Sequence, residues 1–112
     1  MSKFQECLDT YATEFGKLNI DFDADLLSKV AKGCGPSIYN RDASKVSSGD
    51  KDELDRVKNN FLIKKLGLKD TPKLDEGIAA VVEQIGKSNR NKYRAMFYYL
   101  LVKHFKKASV YK

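Results

Sequence analysis

Residue types that build disulfides and metal sites are scarce in this chain of 112 residues, which has two cysteines, Cys7 and Cys34, and one histidine, His104. Two thiols without the close pairing of a Cys-x-x-Cys motif predict neither a structural disulfide nor a zinc site. A single histidine provides no pair of imidazole ligands, and its place among apolar residues predicts a core or edge position. We therefore expect a fold without a structural disulfide or a bound metal.

Long apolar segments are also absent. The longest uncharged apolar run, Met96–Val102, is far shorter than the roughly 20 residues that a membrane-spanning helix needs. The N-terminal sequence Met-Ser-Lys-Phe-Gln-Glu lacks the apolar region and small-residue cleavage site of a signal peptide. The sequence thus predicts a soluble, cytoplasmic protein that does not bind membranes.

Motifs that would indicate catalysis or cofactor binding are missing too. No glycine-rich segment matches a Walker or dinucleotide-binding loop, so we expect no cofactor. Asp21–Asp25 begins like a calcium-binding EF-hand loop, but Leu26 replaces the required glycine and Lys32 the bidentate glutamate. Cys34 is the one candidate nucleophile, yet the C-terminal end of the preceding helix would raise its pKa and no general base is identifiable. We predict that the protein is not an enzyme and has no small-molecule substrate.

Acidic residues are absent from the segment Lys87–Lys112, which contains eight lysines and arginines. The preceding residues carry 13 basic and 15 acidic side chains, so the net charge of +6 arises entirely in this C-terminal segment. The same segment holds half of the tyrosines and phenylalanines. A basic, aromatic-rich end favours a binding role and indicates where a partner would bind.

Apolar residues recur at helical spacing in five segments, and no alternating strand pattern is present. The expected N-caps are Ser2, Asp23, Asp50, Thr71 and either Ser88 or Asn89, and the expected ends lie near Leu18, Gly33, Gly67, Gly86 and Lys107. The interval 33–49 is predicted to be a loop between the second and third helices, anchored by Ile38, Tyr39 and Val46. The fold class is therefore all-α, with residues 1–112 forming a compact single-domain bundle of about five helices.

The fifth helix is apolar over most of its circumference, which predicts that this C-terminal helix is largely buried. Its polar residues form a narrow stripe of Lys92, Tyr99, Lys103 and Lys106. This stripe is a candidate contact surface for an acidic protein partner. A homodimer that uses Tyr98, Val102 and Tyr111 is an alternative that the sequence leaves open.

The start of the fifth helix, Lys87–Arg94, supports a second hypothesis. It follows the fourth helix after a short break, as the recognition helix of a helix-turn-helix motif does. Arg90, Asn91 and Arg94 have side chains that suit base edges, and the flanking lysines suit phosphates. The alternative is that Ser88 and Asn89 are ordinary caps and the basic residues form a solvated rim, and loose matches to this motif are more often of that kind. The candidate contacts to nucleic acid or an acidic partner are Lys87, Arg90, Asn91, Lys92, Arg94, Tyr99, Lys103 and Lys106.

Three segments resemble a family of short bacterial proteins that is classed as a domain of unknown function. They are Gly35-Pro-Ser-Ile-Tyr-Asn40, the stretch from Ser47 to Leu68, and Ser88 to Lys103. The resemblance covers most of residues 35–112 and does not extend to the first helix. It implies a compact, mostly helical single domain, and it implies no reaction, ligand or partner.

Overall fold

A computed structural model describes residues 3–40, 44–47, 49–86, 89 and 92–111. These residues form five α-helices: α1 Lys3–Lys17, α2 Ala24–Cys34, α3 Lys51–Arg56, α4 Pro72–Ile85 and α5 Arg94–His104. Two 3-10 helices, Gly35–Tyr39 and Ala108–Tyr111, and one π-helix, Val57–Ile63, complete the helical structure. Within the described ranges, extended backbone pairs only at an isolated bridge between Lys45 and Tyr93. The predicted all-α class is confirmed.

The helix starts that the sequence indicated at Asp23 and Asp50 are confirmed. The Asp23 carboxylate accepts hydrogen bonds from the backbone N–H groups of Asp25 and Leu26, at 3.0 and 3.3 Å. Asp50 caps α3 in the same way, through the N–H groups of Asp52 and Glu53. These carboxylates satisfy N–H groups that have no partner within a helix, so local sequence is sufficient to fix both starts.

The third helical segment ends at Ile63, before the predicted end at Gly67, and a turn over residues 64–66 continues the chain to that glycine. Gly67 has φ of 71°, a left-handed conformation that glycine adopts without steric cost. Its N–H donates to the Ile63 carbonyl at 3.1 Å, and the Leu68 N–H donates to the Leu62 carbonyl at 3.0 Å. Each bond spans one residue more than in a Schellman motif, because the chain arrives from a wider π-helix.

Helix α5 lies at the centre of the molecule, as predicted. Its buried residues are Ala95, Met96, Phe97, Tyr99, Leu100, Leu101 and Val102. Helices α2 and α4 pack against it, and α1 adds Tyr11 and Phe15 to the same core. The radius of gyration of 13.0 Å agrees with the roughly 13 Å expected for a compact domain of this length.

The predicted end of α2 at Gly33 is wrong. The helix continues through Cys34, and Gly35, with φ of 69°, is the residue that ends it by donating its N–H to the Lys32 carbonyl. A 3-10 helix then occupies Gly35–Tyr39, so the interval 33–49 is less irregular than predicted. Ile38 and Val46 are buried as expected, whereas Tyr39 is 49% exposed and does not anchor the segment.

The predicted start of α5 at Ser88 or Asn89 is wrong as well. The N-cap residue is Tyr93, in extended conformation. The Val46 N–H donates to the Lys92 carbonyl at 2.8 Å, and the Arg94 N–H donates to the Ser44 carbonyl at 2.6 Å. This pairing of residues 92–94 with residues 44–46 holds Tyr93 extended, so a tertiary contact overrides the local capping signal. Ser2 and Ser88, also proposed as caps, lie outside the described residues.

The predicted stripe of exposed polar residues along the last helix is wrong, because two of its four members are buried. Tyr99 is 2% exposed and Lys92 is 3% exposed. Lys106 lies beyond the end of α5 with φ of 56°, so the helix does not continue to Lys107. His104, expected in the core or at its edge, is exposed and contacts the Phe105 ring edge-on. Val102 is fully buried, so it is not part of a dimer face.

Candidate binding site

A cavity of about 490 Å³ opens where α2, the π-helix, α5 and the C-terminal 3-10 helix meet. Its size falls within the range of small-molecule sites. The lining residues are Gly33, Cys34, Ser37, Asn60, Phe61, Lys65, Arg94, Tyr98 and Tyr111. We call this cavity the Arg94 pocket, because Arg94 is the charged residue that the surrounding structure holds most firmly.

Helix α5 contributes Arg94 and Tyr98, which lie one turn apart and therefore share a helix face. The Arg94 guanidinium donates to the Tyr98 hydroxyl at 3.0 Å and lies over the Tyr98 ring, 5.7 Å from its centroid. On another side it donates to the Glu53 carboxylate at 2.7 Å. Glu53 also accepts a 2.8 Å hydrogen bond from Arg56. The guanidinium is thus oriented by partners on two helices.

The π-helix and the turn that follows it also line the pocket, with Asn60, Phe61 and Lys65. Hydrogen bonds at the end of the π-helix and in the turn after it span five residues, from the Lys64 N–H to the Asn59 carbonyl at 3.3 Å and from the Leu66 N–H to the Phe61 carbonyl at 2.9 Å, so residues five apart lie near one another. This spacing places Asn60 and Lys65 on the same wall of the pocket. The Phe61 ring stacks on Tyr98 with centroids 4.0 Å apart and planes at 14°. π-helical turns cluster at functional sites in proteins, and this one shapes the cavity.

The C-terminal 3-10 helix covers one edge of the pocket with Tyr111. The Lys65 ammonium lies 5.2 Å from the Tyr111 ring centroid. A Cβ at Gly33 would lie 3.4 Å from the same ring, an ordinary van der Waals distance, so Tyr111 packs closely against α2 at this position. Burial raises the pKa of Tyr111 to about 12, and its hydroxyl is therefore neutral at pH 7.

The charges around the pocket are unevenly distributed. Two cationic residues, Arg94 and Lys65, line the cavity, and no carboxylate is among the described residues that line it. Glu53 lies behind Arg94. Burial by itself would raise the pKa of Glu53, but hydrogen bonds from Arg56 and Arg94 outweigh it and hold the pKa below its usual range. The carboxylate is therefore charged at neutral pH and keeps Arg94 in place.

The thiol of Cys34 lies in the pocket wall but is not activated there. Burial raises its pKa to about 11, and the nearby Arg94 opposes this only partly. The direction agrees with the sequence-based expectation, although burial rather than the helix end is the main cause. At neutral pH almost all of this cysteine is protonated, which disfavours nucleophilic attack.

The structure separates the residues that the sequence grouped as candidate contacts. Arg94 lies in the pocket, whereas Lys92 is buried and its ammonium donates to the Asn89 carbonyl. Tyr99 is buried too, and its hydroxyl accepts a hydrogen bond from the Asp23 N–H at 2.8 Å. Lys103 and Lys106 are exposed. The remaining candidates, Lys87, Arg90 and Asn91, lie outside the described residues.

Sequence reasoning missed the pocket because its members come from four separate stretches of the chain. The spacing of Arg94 and Tyr98 is the one local signal, since residues four apart on a helix lie side by side. The partnership of Arg94 with Glu53 joins residues 41 positions apart, and no local pattern indicates it. The π-helix has no sequence signature that distinguishes it from the helix expected at this place.

Comparison with known proteins identifies a family without adding an activity. Residues 10–109 match the family described as "Protein of unknown function (DUF2853)". The match covers almost the whole described fold and confirms the resemblance drawn from residues 35–112. No curated protein matches the sequence. Within the described part of the chain, no helix is long and apolar enough to cross a membrane.

Proposed function

This chain belongs to the DUF2853 family, which assigns no activity, and we propose from the pocket geometry that it is a non-enzymatic binding module for small organic anions. The observation that carries the proposal is the Arg94 pocket, where Arg94 and Lys65 face a cavity that no described carboxylate lines. A guanidinium presents a planar fork of donors that suits a carboxylate or phosphate oxygen pair. The Arg94 guanidinium already donates to Tyr98 and Glu53, so in this proposal the anion shares the guanidinium with these partners and contacts Lys65 as well.

The aromatic lining supports an anion with a flat apolar body. Phe61, Tyr98 and Tyr111 all line the cavity, and aromatic rings bind other planar groups by offset or edge-to-face contact. An aryl carboxylate would place its charge at Arg94 and its ring among these side chains. The raised thiol pKa of Cys34 favours binding over covalent chemistry in the same cavity.

A two-dimensional amide NMR titration with benzoate tests the proposal, with uncharged benzamide as the matched ligand control. We expect saturable shifts from benzoate at Cys34, Phe61, Lys65, Arg94 and Tyr111. Benzamide should bind at least about tenfold more weakly, because loss of one charge-assisted hydrogen-bonded pair costs roughly 1.5 kcal/mol or more. Equal binding of both ligands, or shifts that are scattered over the surface, would contradict the proposal.

A pair of neighbouring lysines provides the protein control. Lys65 lines the pocket, whereas Lys64 is exposed and does not. We expect Lys65→Gln to weaken benzoate binding severalfold and Lys64→Gln to leave it unchanged, since the two variants change the net charge equally. If both variants weaken benzoate binding to the same extent, the cause is the overall charge of the protein and not a contact in the pocket.

We keep nucleic-acid or acidic-partner binding by the basic C-terminal segment as a second candidate function. It is favoured by the complete absence of acidic residues from 87–112 and by the exposure of Lys103 and Lys106. Arg94 does not serve as its base-reading residue in this proposal, because Glu53 and Tyr98 hold its guanidinium within the fold. The proposed contacts are therefore Lys87, Arg90, Asn91, Lys103 and Lys106.

An NMR titration with short mixed-sequence DNA and RNA at low and physiological salt tests this candidate. Specific binding predicts shifts at Lys103 and Lys106 that persist at physiological salt and disappear in an Arg90→Ala, Lys103→Ala double variant. Affinity should fall with salt, by about one unit of logarithmic slope per phosphate contact. Shifts that vanish at physiological salt would reject the nucleic-acid function and leave an acidic protein as the partner to seek.

A further inference from the structure

A second depression, unrelated to the Arg94 pocket, lies between α3 and α4. It has a volume of about 350 Å³. Its apolar lining residues are Leu54, Ile78, Ala79 and Val82, and its charged ones are Lys51, Asp55, Asp75 and Glu83. We call it the acid-rimmed groove.

Helical spacing explains why these residues form a groove. The α4 residues occur at steps of three, one, three and one from Asp75 to Glu83, which places them along one face of the helix. Lys51, Leu54 and Asp55 form a matching face on α3. The two helix faces lie side by side and form a trough. Of its apolar lining residues, Leu54 is only partly buried and Ala79 is exposed. A helix is the element that such a trough accommodates.

The charge of the groove is opposite to that of the whole molecule. Three carboxylates and one lysine line it, in a chain whose net charge is +6. Asp75 lies 3.5 Å from Lys58, but that ammonium is shared with Asp70 at 3.4 Å. Glu83 also interacts with another residue of the chain. With three carboxylates against Lys51 and the shared Lys58, the groove keeps a net negative charge around an apolar floor, which favours a cationic partner.

We propose that the acid-rimmed groove binds a cationic amphipathic helix of a partner protein. Its apolar residues, at positions i, i+3, i+4 and i+7, would contact Leu54, Ala79 and Val82, and its lysines or arginines would pair with the rim carboxylates. A second copy of this chain does not offer such a helix among its described elements. The basic helix α5 has its apolar residues buried in its own core.

Fluorescence anisotropy with a labelled helical peptide of leucine and lysine, about 18 residues or five turns long, tests this proposal on the full chain. The control is the same peptide with glutamate in place of lysine. We expect the lysine peptide to bind at least about tenfold more tightly, a difference of roughly 1.4 kcal/mol. Equal affinity for the lysine and glutamate peptides would mean that the apolar floor binds any apolar helix. It would contradict the proposal that the rim carboxylates select a cationic partner.

Two pairs of variants locate the binding. Ala79 and Ala80 are adjacent and both exposed, but only Ala79 lines the groove. Glu76 and Glu83 are both exposed on α4, and only Glu83 lines the groove. We expect Ala79→Arg and Glu83→Lys to weaken lysine-peptide binding about tenfold or more, with no effect of Ala80→Arg or Glu76→Lys.

The outcomes that reject the proposal are distinct. Binding that is insensitive to both groove variants places the peptide elsewhere. Absence of binding rules out this partner class. A concentration-dependent dimer in light scattering that Ala79→Arg abolishes would make a second copy of the chain the occupant. None of these results bears on benzoate binding, so the Arg94 pocket is tested separately.

Discussion

Arg94 and Cys34 share one pocket but differ in what their surroundings do to them. Burial alone would lower the pKa of Arg94, but Tyr98 and Glu53 outweigh it and raise this pKa, so the side chain remains a permanent cation. Burial raises the pKa of Cys34 to about 11, which keeps the thiol neutral. The pocket therefore contains a permanent cation beside a thiol that is neutral at pH 7.

The reactivity of Cys34 provides a prediction at the residue scale. In a Cys7→Ala variant, which leaves one thiol, we expect alkylation by iodoacetamide at pH 7 to be at least about tenfold slower than that of glutathione, because little thiolate is present. The rate should continue to rise with pH beyond 9. An alkylation rate at neutral pH that exceeds that of glutathione would instead indicate an activated nucleophile. That result would favour an enzymatic role for Cys34.

The helices meet at positions where one side chain or its absence decides how closely they pack. At Gly77 on α4, a Cβ would lie 2.3 Å from the Phe105 ring, so the ring that follows α5 occupies the space of a missing side chain. At Gly16 on α1, a Cβ would meet nothing within 4 Å. The same residue type therefore has a packing role at one site and none at the other.

Alanine substitution at these two glycines gives a prediction at the element scale. We expect Gly77→Ala to lower the free energy of unfolding by about 1–3 kcal/mol, because the ring must shift in a packed interface. Gly16→Ala should raise it by about 0.5 kcal/mol, since alanine favours a helix over glycine. Urea unfolding monitored by circular dichroism measures the free energy of unfolding of both variants. Equal loss of stability in the two variants would contradict the specific contact between Gly77 and Phe105.

Glu53 links α3 to α5 through Arg94, and its carboxylate makes the stability of the whole fold depend on pH. Its pKa is lowered in the folded protein, so its contribution to stability is fully present above its unfolded pKa of about 4.3. The contribution is lost as pH falls through the lower folded pKa, because protonation removes the charge that Arg56 and Arg94 bind.

Glu53→Gln tests this dependence at the scale of the whole fold. We expect the variant to be less stable by about 1–3 kcal/mol at pH 7, where charge-assisted hydrogen bonds are lost. The difference should narrow as pH falls below the unfolded pKa of about 4.3 and through the lower folded pKa, because the wild-type carboxyl then becomes protonated too. Glu76→Gln, at an exposed position on α4, is the control and should change little. A difference that is constant from pH 7 to 3 would show that shape, rather than charge, matters at residue 53.

Local signals predicted much of the fold but little of the pocket. Asp23 and Asp50 act through hydrogen bonds within a few residues, and their roles were predicted correctly. The start of α5 was predicted incorrectly because residues 44–46 pair with 92–94 from a distant part of the chain. Tyr99 was assigned to an exposed stripe because its hydroxyl is polar, whereas that hydroxyl binds the backbone of Asp23 in the interior.

The sequence by itself determined the all-α class, the apolar character of the last helix and the location of the excess positive charge. These properties follow from periodicity and composition, which act through nearest turns of the helix and need no knowledge of topology. The tertiary structure alone decided that Arg94 pairs with Glu53 and lines one cavity together with Lys65, and that α3 and α4 enclose an acidic groove. Both arrangements depend on how distant helices pack against a central helix, because charge and shape combine into a site only where the fold brings those helices together.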